Sequence, residues 1–252
     1  CIDIADRMAT RHDAGSATSH YEEALKHDEG NLAAMSALAK LKLNLEDTEG
    51  CQAMCVRILR EDEGNEEASL MLAELMFRKG HAETAIYHFQ DLLEKNPGNY
   101  RALAQLVQLL RRAGRLDEAS RFLKTAETAS DDAAHRAGFH FAKGLERRHL
   151  GETQEALGHL NRCRADHEWG ADAAYEMVDI YISPENQSMW QNDENRKDAS
   201  QAAEHVRAAE HLLAEVRQRR EPKHTVLESY VHMARGTKQG YEKAFTMCAE
   251  IV

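Results

Sequence analysis

The chain has 252 residues, with 3 Pro, 14 Gly and 6% aromatic residues among abundant Ala, Leu, Glu and Arg, a composition of helix formers that excludes a sheet-rich fold. Its formal net charge of −11 argues against nucleic acid as the main partner, because phosphate binding needs a cationic footprint. No apolar run approaches the ~20 residues of a bilayer span and no signal peptide is present, so no direct membrane insertion is expected; five cysteines, odd in number and without a CxxC pair, read as reduced thiols of a cytoplasmic protein.

In chain order, residues 1–31 end in "HDEGN", residues 32–65 in "EDEGN" and residues 66–99 in "KNPGN", and the glycines of these turns, Gly30, Gly64 and Gly98, stand 34 residues apart. A second landmark keeps the same interval: Gly80 in "FRKGHAETAIYHF" and Gly114 in "RRAGRLDEASRFL". Two independent landmarks on one period mark a tandem repeat. Five residues after Gly80 and Gly114 come Ala85 and Ala119, with Ala17 and Cys51 in the same phase. Four residues further lie Tyr21, Cys55, Phe89 and Leu123, and three beyond those Ala24, Ile58, Leu92 and Ala126. Steps of four and three place all of these on one helical face. Earlier in each unit, Leu38 with Ala39, Leu72 with Ala73 and Leu106 with Val107 predict where a first helix crosses a second. A small residue there lets antiparallel helices approach, and larger neighbours fill the gap. Each unit is predicted to be a helix, a short turn, a second helix and another turn. Glycines close the helices with left-handed backbone, and Pro97 blocks continuation.

A fourth unit covers residues 100–133, after which the phase slips: Gly151 and Ala156 in "AKGLERRHLGETQEAL" follow Gly114 and Ala119 by 37 residues, an insertion near "SDDAAHR". The fifth unit is 137–170. The sixth, 171–220, opens with "GADAAYEMVDIYI", is interrupted over 183–198 by the polar "SPENQSMWQNDENRKD", read as a surface loop, and continues in the long helix "ASQAAEHVRAAEHLLAEVRQRR". A last pair covers 222–252. The pattern is already under way at Cys1 without an initiator Met, and the chain closes on the apolar "AFTMCAEIV" with no polar capping helix. The expectation is a single α-solenoid fragment of a longer chain.

No catalytic constellation emerges: there is no phosphate loop, dinucleotide fingerprint, HExxH or nucleophile elbow. Among 14 histidines, His135 with His140 and His205 with His211 are five and six apart, which scatters them around a helix. Cys51 and Cys55 fall on packing positions. No catalytic residue, cofactor or metal site is therefore assigned, and the chain is not read as an enzyme.

The unit resembles the tetratricopeptide repeat, matched in the third unit by Leu72, Ala73, Met76, Gly80, Ala85, Phe89, Leu92 and Pro97. The resemblance implies an all-α fold, a right-handed α-solenoid of about seven helix pairs, with a groove lined by the first helix of each. Carried over position by position, the candidate partner groove comprises Lys40, Leu43 and Asn44, then Leu70, Glu74, Phe77 and Arg78. It continues with Arg101, Gln108, Arg111 and Arg112, then Phe141, Arg148 and His149. Residues 101–150 carry 10 bases against 6 acids, a basic stretch suited to an acidic partner segment through forked guanidinium contacts. Arg111 and Arg112 suit equally the compensation of their helix's negative C-terminal end. The carboxylate clamp of chaperone-binding members needs Lys and Asn where this chain has Ser36, Leu70 and Ala104. Trp190, in the polar loop, is a candidate partner anchor, folding back onto its own helices being the alternative.

Residues 138–186, with "LVQLLRRAGRLDEASRFLKTAE" before them, more closely resemble the C-terminal part of the large tetratricopeptide-repeat subunit of intraflagellar transport complex A. The pieces that carry this are the "GFHFAKG" start, "DHEWG" at 166–170, Tyr175 with Met177, and the "SPEN" exit. The resemblance implies a non-enzymatic scaffold of the cilium or flagellum and basal body whose partners are other protein subunits of that complex, supporting retrograde transport and cargo entry. A substrate-recruiting repeat arm of an enzyme and a chaperone-adaptor domain remain the alternatives.

Overall fold

Five helices begin at a short polar side chain that caps them. The computed structural model describes residues 2–11, 13–129, 136–183, 198–216 and 222–249, and every regular element among them is helical. The first of two compact units, Cys1–Glu118, holds α1 (Ile2–Thr10), α2 (Ala14–His27), α3 (Leu32–Asn44), α4 (Thr48–Glu61), α5 (Glu66–Arg78), α6 (Ala82–Lys95), α7 (Tyr100–Arg112) and a 3-10 turn, Leu116–Glu118. The second, Ala119–Val252, holds α8 (Ala119–Thr128), α9 (Ala137–His149), α10 (Thr153–Cys163), α11 (Gly170–Ile182), α12 (Asp198–Val216), α13 (Pro222–Ala234) and α14 (Lys238–Ala249). The sequence-predicted polar loop, including Trp190, lies almost wholly outside the described residues.

Asn31, Asn65 and Asn99 cap α3, α5 and α7, each side-chain oxygen accepting the N–H three residues on at 3.0 Å. Asp13 and Asp47 do the same for α2 and α4. Before the asparagines, Asp28 and Asp62 accept from the Asn31 and Asn65 side-chain amides, and Asp62 and Asn96 accept from the N–H groups of Gly64 and Gly98. These are Asx turns. Their glycines lack the left-handed backbone expected from the sequence. That conformation belongs to the glycines inside the hairpins, Gly80, Gly114, Gly151 and Gly236, at φ of 80°, 71°, 82° and 66°. One period before Gly80 stands Glu46, at φ 60°, the one non-glycine residue in that region among the described residues.

Packing follows the small positions. In the first unit Ala17, Cys51 and Ala85 are fully buried on the second helices, and Ala39, Ala73 and Val107 are fully buried on the first. There α3 packs on α4 and α5 on α6, and successive pairs join through α2 with α3, α4 with α5 and α6 with α7. In the second unit α9 packs on α10, α11 on both α12 and α13, and α13 on α14. At the α9–α10 crossing a Cβ on Gly144 would lie 2.9 Å from Leu160 Cγ, so the helices approach as closely as glycine permits. Fully buried Leu, Ile and Phe side chains around such crossings contribute about 1.5–3 kcal/mol each.

The same crossing holds a polar pair. His140 Nδ1 and His159 Nδ1 are 3.0 Å apart, so one ring donates and the other must be an unprotonated acceptor. Burial, followed by the charges of His140, Lys143, Arg162 and Arg147, pushes His159 down to about 4. The unfolded chain takes up that proton near the ordinary value of 6.5, whereas the folded ring resists until about 4, so stability is greatest above that upper value and falls as pH drops through the window. Thermal midpoints followed by circular dichroism should decline on acidification across this range, and decline less in His159→Gln. A second expectation concerns Glu46. Replacing it with Gly relieves a left-handed side-chain conformation and should raise the urea midpoint, by about 1 kcal/mol of stability.

Candidate partner-binding groove

Side chains from α5 and α7 meet across the first unit. Gln105 Nε2 donates to Glu74 Oε1, and the Arg112 guanidinium carbon sits 4.9 Å from the centre of the Phe77 ring. Around them Glu74, Phe77, Arg78, Phe89, Gln105, Gln108, Leu109 and Arg112 enclose a notch of about 250 Å³. Five of the sequence-predicted groove residues are therefore brought together: Glu74, Phe77, Arg78, Gln108 and Arg112.

Sequence reasoning missed Gln105 and Leu109, and placed Phe89 only in the core. For Gln105 a signal existed: Arg101, Gln105, Gln108 and Arg112 form a polar stripe at steps of four, three and four on α7, whose other residues are apolar apart from Tyr100 and Arg111. Gln105 carries the least satisfied atom of the notch. Its Oε1 is buried and has no hydrogen-bond partner among the described residues.

The remaining candidates lie elsewhere. Lys40 is exposed on α3 and paired with Glu67 at 2.6 Å, and Asn44 is exposed at the end of the same helix. Arg101 is exposed on the first turn of α7, and Arg111 is exposed beside Arg112 on its last turn. Phe141 does not face an open surface: it is 6% exposed, with its ring centre 5.2 Å from that of Trp169. The sequence placed it at a groove position, but the turn before α11 supplies an aromatic partner that covers it.

Arg148 is also engaged within the fold. It bridges from α9 to Glu176 and Asp179 on α11, and Lys223 on α13 reaches Glu176 at 3.6 Å while lying 5.3 Å from the Tyr175 ring centre. Three successive first helices are thus joined by one charge network. On the neighbouring turn the buried Glu146 accepts a hydrogen bond from Ser120 on α8 at 2.5 Å. Among the described residues no group of three or more His, Cys, Asp or Glu is placed to hold a metal ion, and no helix is long and apolar enough to cross a membrane.

Comparison with known proteins agrees with this architecture. The TT21 fifth ARM repeats domain matches residues 66–182, and the tetratricopeptide repeat family matches residues 9–75. Tetratricopeptide repeat protein 21B is 38% identical in human and 40% in mouse, each over the whole of this chain and 20% of the relative. Mouse tetratricopeptide repeat protein 21A is 35% identical over 85% of this chain and 17% of the relative. The chain thus spans about a fifth of the length of the curated relatives it matches. A tetratricopeptide repeat protein from Parabacteroides merdae shares the fold, with a TM-score of 0.63 at 16% identity, covering 98% of this chain and 91% of that one. PilW, a type IV pilus biogenesis factor, aligns with a TM-score of 0.55 at 17% identity over 88% of this chain and 94% of its own.

The two kinds of arginine should respond differently to substitution. Arg148→Ala leaves Glu176, whose side chain is only 14% exposed, with a single distant cation, and should cost about 1–3 kcal/mol in chemical denaturation. Arg78→Glu alters an exposed position and should change stability by less than about 0.5 kcal/mol in the same measurement.

Proposed function

The chain belongs to the tetratricopeptide-repeat proteins and is homologous to their 21A and 21B members, and from that premise we propose that it is a non-catalytic scaffold segment of an intraflagellar transport A subunit. In this reading it binds other protein subunits of that complex at the cilium or flagellum and basal body, and supports retrograde transport and ciliary cargo entry. The observation that carries the reading is the 38% identity to human tetratricopeptide repeat protein 21B along the full 252 residues. Exposed polar and charged side chains on the first helices, such as Lys40, Arg78, Arg101 and Arg111, support it as surface available to a protein partner.

The chaperone-adaptor alternative is weaker on chemistry. Ser36 and Leu70 are half-buried and Ala104 is buried, and none of the three can donate the charged contacts that a terminal carboxylate needs. Cross-linking mass spectrometry on the native assembly from ciliated cells tests the proposal. Cross-links from this segment should reach other subunits of the transport complex. Cross-links confined to a catalytic domain, or to a chaperone, would replace the scaffold reading with the corresponding alternative.

A further inference from the structure

In a chain of net charge −11, three arginines stand at the ends of two helices without an ion-pair partner among the described residues, and the Glu74 carboxylate that lines the same notch accepts from Gln105. Lys40, Lys42, Lys95 and Arg115 of the same unit each hold an acidic side chain at 3.0 Å or closer. By contrast Arg78, Arg111 and Arg112 have no ion-pair partner among the described residues, and the Arg112 guanidinium lies over the Phe77 ring. Arg78 and Arg112 line the α5–α7 notch, and Arg111 adjoins Arg112.

The floor of that notch is apolar, formed by Phe77, Phe89 and Leu109. Its volume of about 250 Å³ is below the ~300–1,000 Å³ typical of sites for whole drug-sized ligands, and suits a single inserted side chain. The third feature is Gln105. Its amide nitrogen is spent on Glu74, so what it offers a ligand is the orphaned oxygen, an acceptor that calls for an N–H donor.

An anion, an apolar side chain and a backbone N–H are found together in an acidic peptide. We propose that this notch binds an extended acidic segment of a partner protein, inserting one Phe or Leu side chain against Phe77, Phe89 and Leu109. Flanking Asp or Glu carboxylates pair with Arg78, Arg111 and Arg112, and a peptide N–H donates to Gln105 Oε1. A lone phosphate satisfies the arginines but leaves the apolar floor empty and the Gln105 oxygen without a donor. This inference rests on the scaffold reading and specifies one binding site within it.

The test uses the 252-residue chain and a fluorescein-labelled, amidated peptide, Ser-Glu-Asp-Phe-Asp-Glu-Ser, followed by fluorescence anisotropy. Saturable binding that weakens with added salt is expected. Replacing the peptide Phe with Ala, or both Arg78 and Arg112 with Glu, should each weaken it by about tenfold or more, with unchanged far-ultraviolet circular dichroism. Arg78→Gln, which removes one charge and adds no repulsion, should give a smaller loss in the same direction. Equal affinity of wild type and variants, absence of saturable binding, or tighter binding of single-stranded oligo-dT than of the peptide would overturn the proposal. If cross-linking places the segment among transport subunits while the peptide fails to bind, the notch assignment falls and the scaffold reading stands.

Discussion

Each helical hairpin depends on a crossing where two backbones come close enough that only a small side chain fits. Ala17, Cys51 and Ala85 occupy that place in the first unit, Ala119 and Ala156 in the second, and all five are fully buried. The large residues are then not free to sit anywhere. Four positions on, Tyr21, Cys55, Phe89, Leu123 and Leu160 lie on the same face and must pack beside the crossing. Gly144 is the limiting case, since the side chain it lacks would occupy the space that Leu160 fills. A larger residue at one of these points would move two helices apart and uncover apolar area on both, so the spacing tolerates little drift. The 34-residue interval is the length of chain needed to make one crossing and return to begin the next.

The turns obey a second constraint, that helix ends leave backbone groups without partners. In the first unit the chain meets it with side-chain caps worth about 0.5–2 kcal/mol each, Asp13 and Asp47 within hairpins and Asn31, Asn65 and Asn99 in the turns between them. The same turn also connects neighbouring repeats. Asn96 and Asn99 both donate to Glu66 at the start of α5, and Arg57 donates to the Glu29 carbonyl at 3.0 Å. A turn residue thus closes its own helix and fixes the next pair against the last. Within hairpins a left-handed residue also reverses the chain, and Glu46 shows that the position can be filled by a residue other than glycine at a conformational cost.

This division explains what could be read from the amino-acid order. Packing positions repeat, so one glycine-to-alanine spacing exposed the buried residues of α2, α4, α6, α8 and α10, and the turn positions with them. The chemistry of the turns was less legible, because glycine is frequent in both kinds and Asx side chains cap helices after both, as Asp47 and Asn65 do. Glu46 could have been found by stepping one period back from Gly80. The groove was legible only in part. Position within a repeat says which way a side chain projects, but not what the neighbouring repeat places opposite it. Phe141 is covered by Trp169, Lys40 is taken by Glu67, and Arg148 by Glu176 and Asp179, all residues outside the helix that carries the candidate.

The fate of those charges bears on how repeats that look alike acquire different uses. A cation on a first helix has two possible partners, the carboxylates of the adjacent repeat or those of another molecule. Where the adjacent repeat supplies one, as for Arg148, the pair is partly shielded from solvent and its members hold α9 against α11; separating them would leave a carboxylate poorly solvated, so a partner gains little by competing. Where the adjacent repeat supplies an aromatic ring or nothing, the cation keeps its hydration and its capacity to pair. The periodic residues build the same framework in every unit and carry no information about a partner. In the proposed site, specificity resides where that pattern of neighbours is broken: in the first unit Phe77, at 4.9 Å, takes the place beside Arg112 that a carboxylate could occupy.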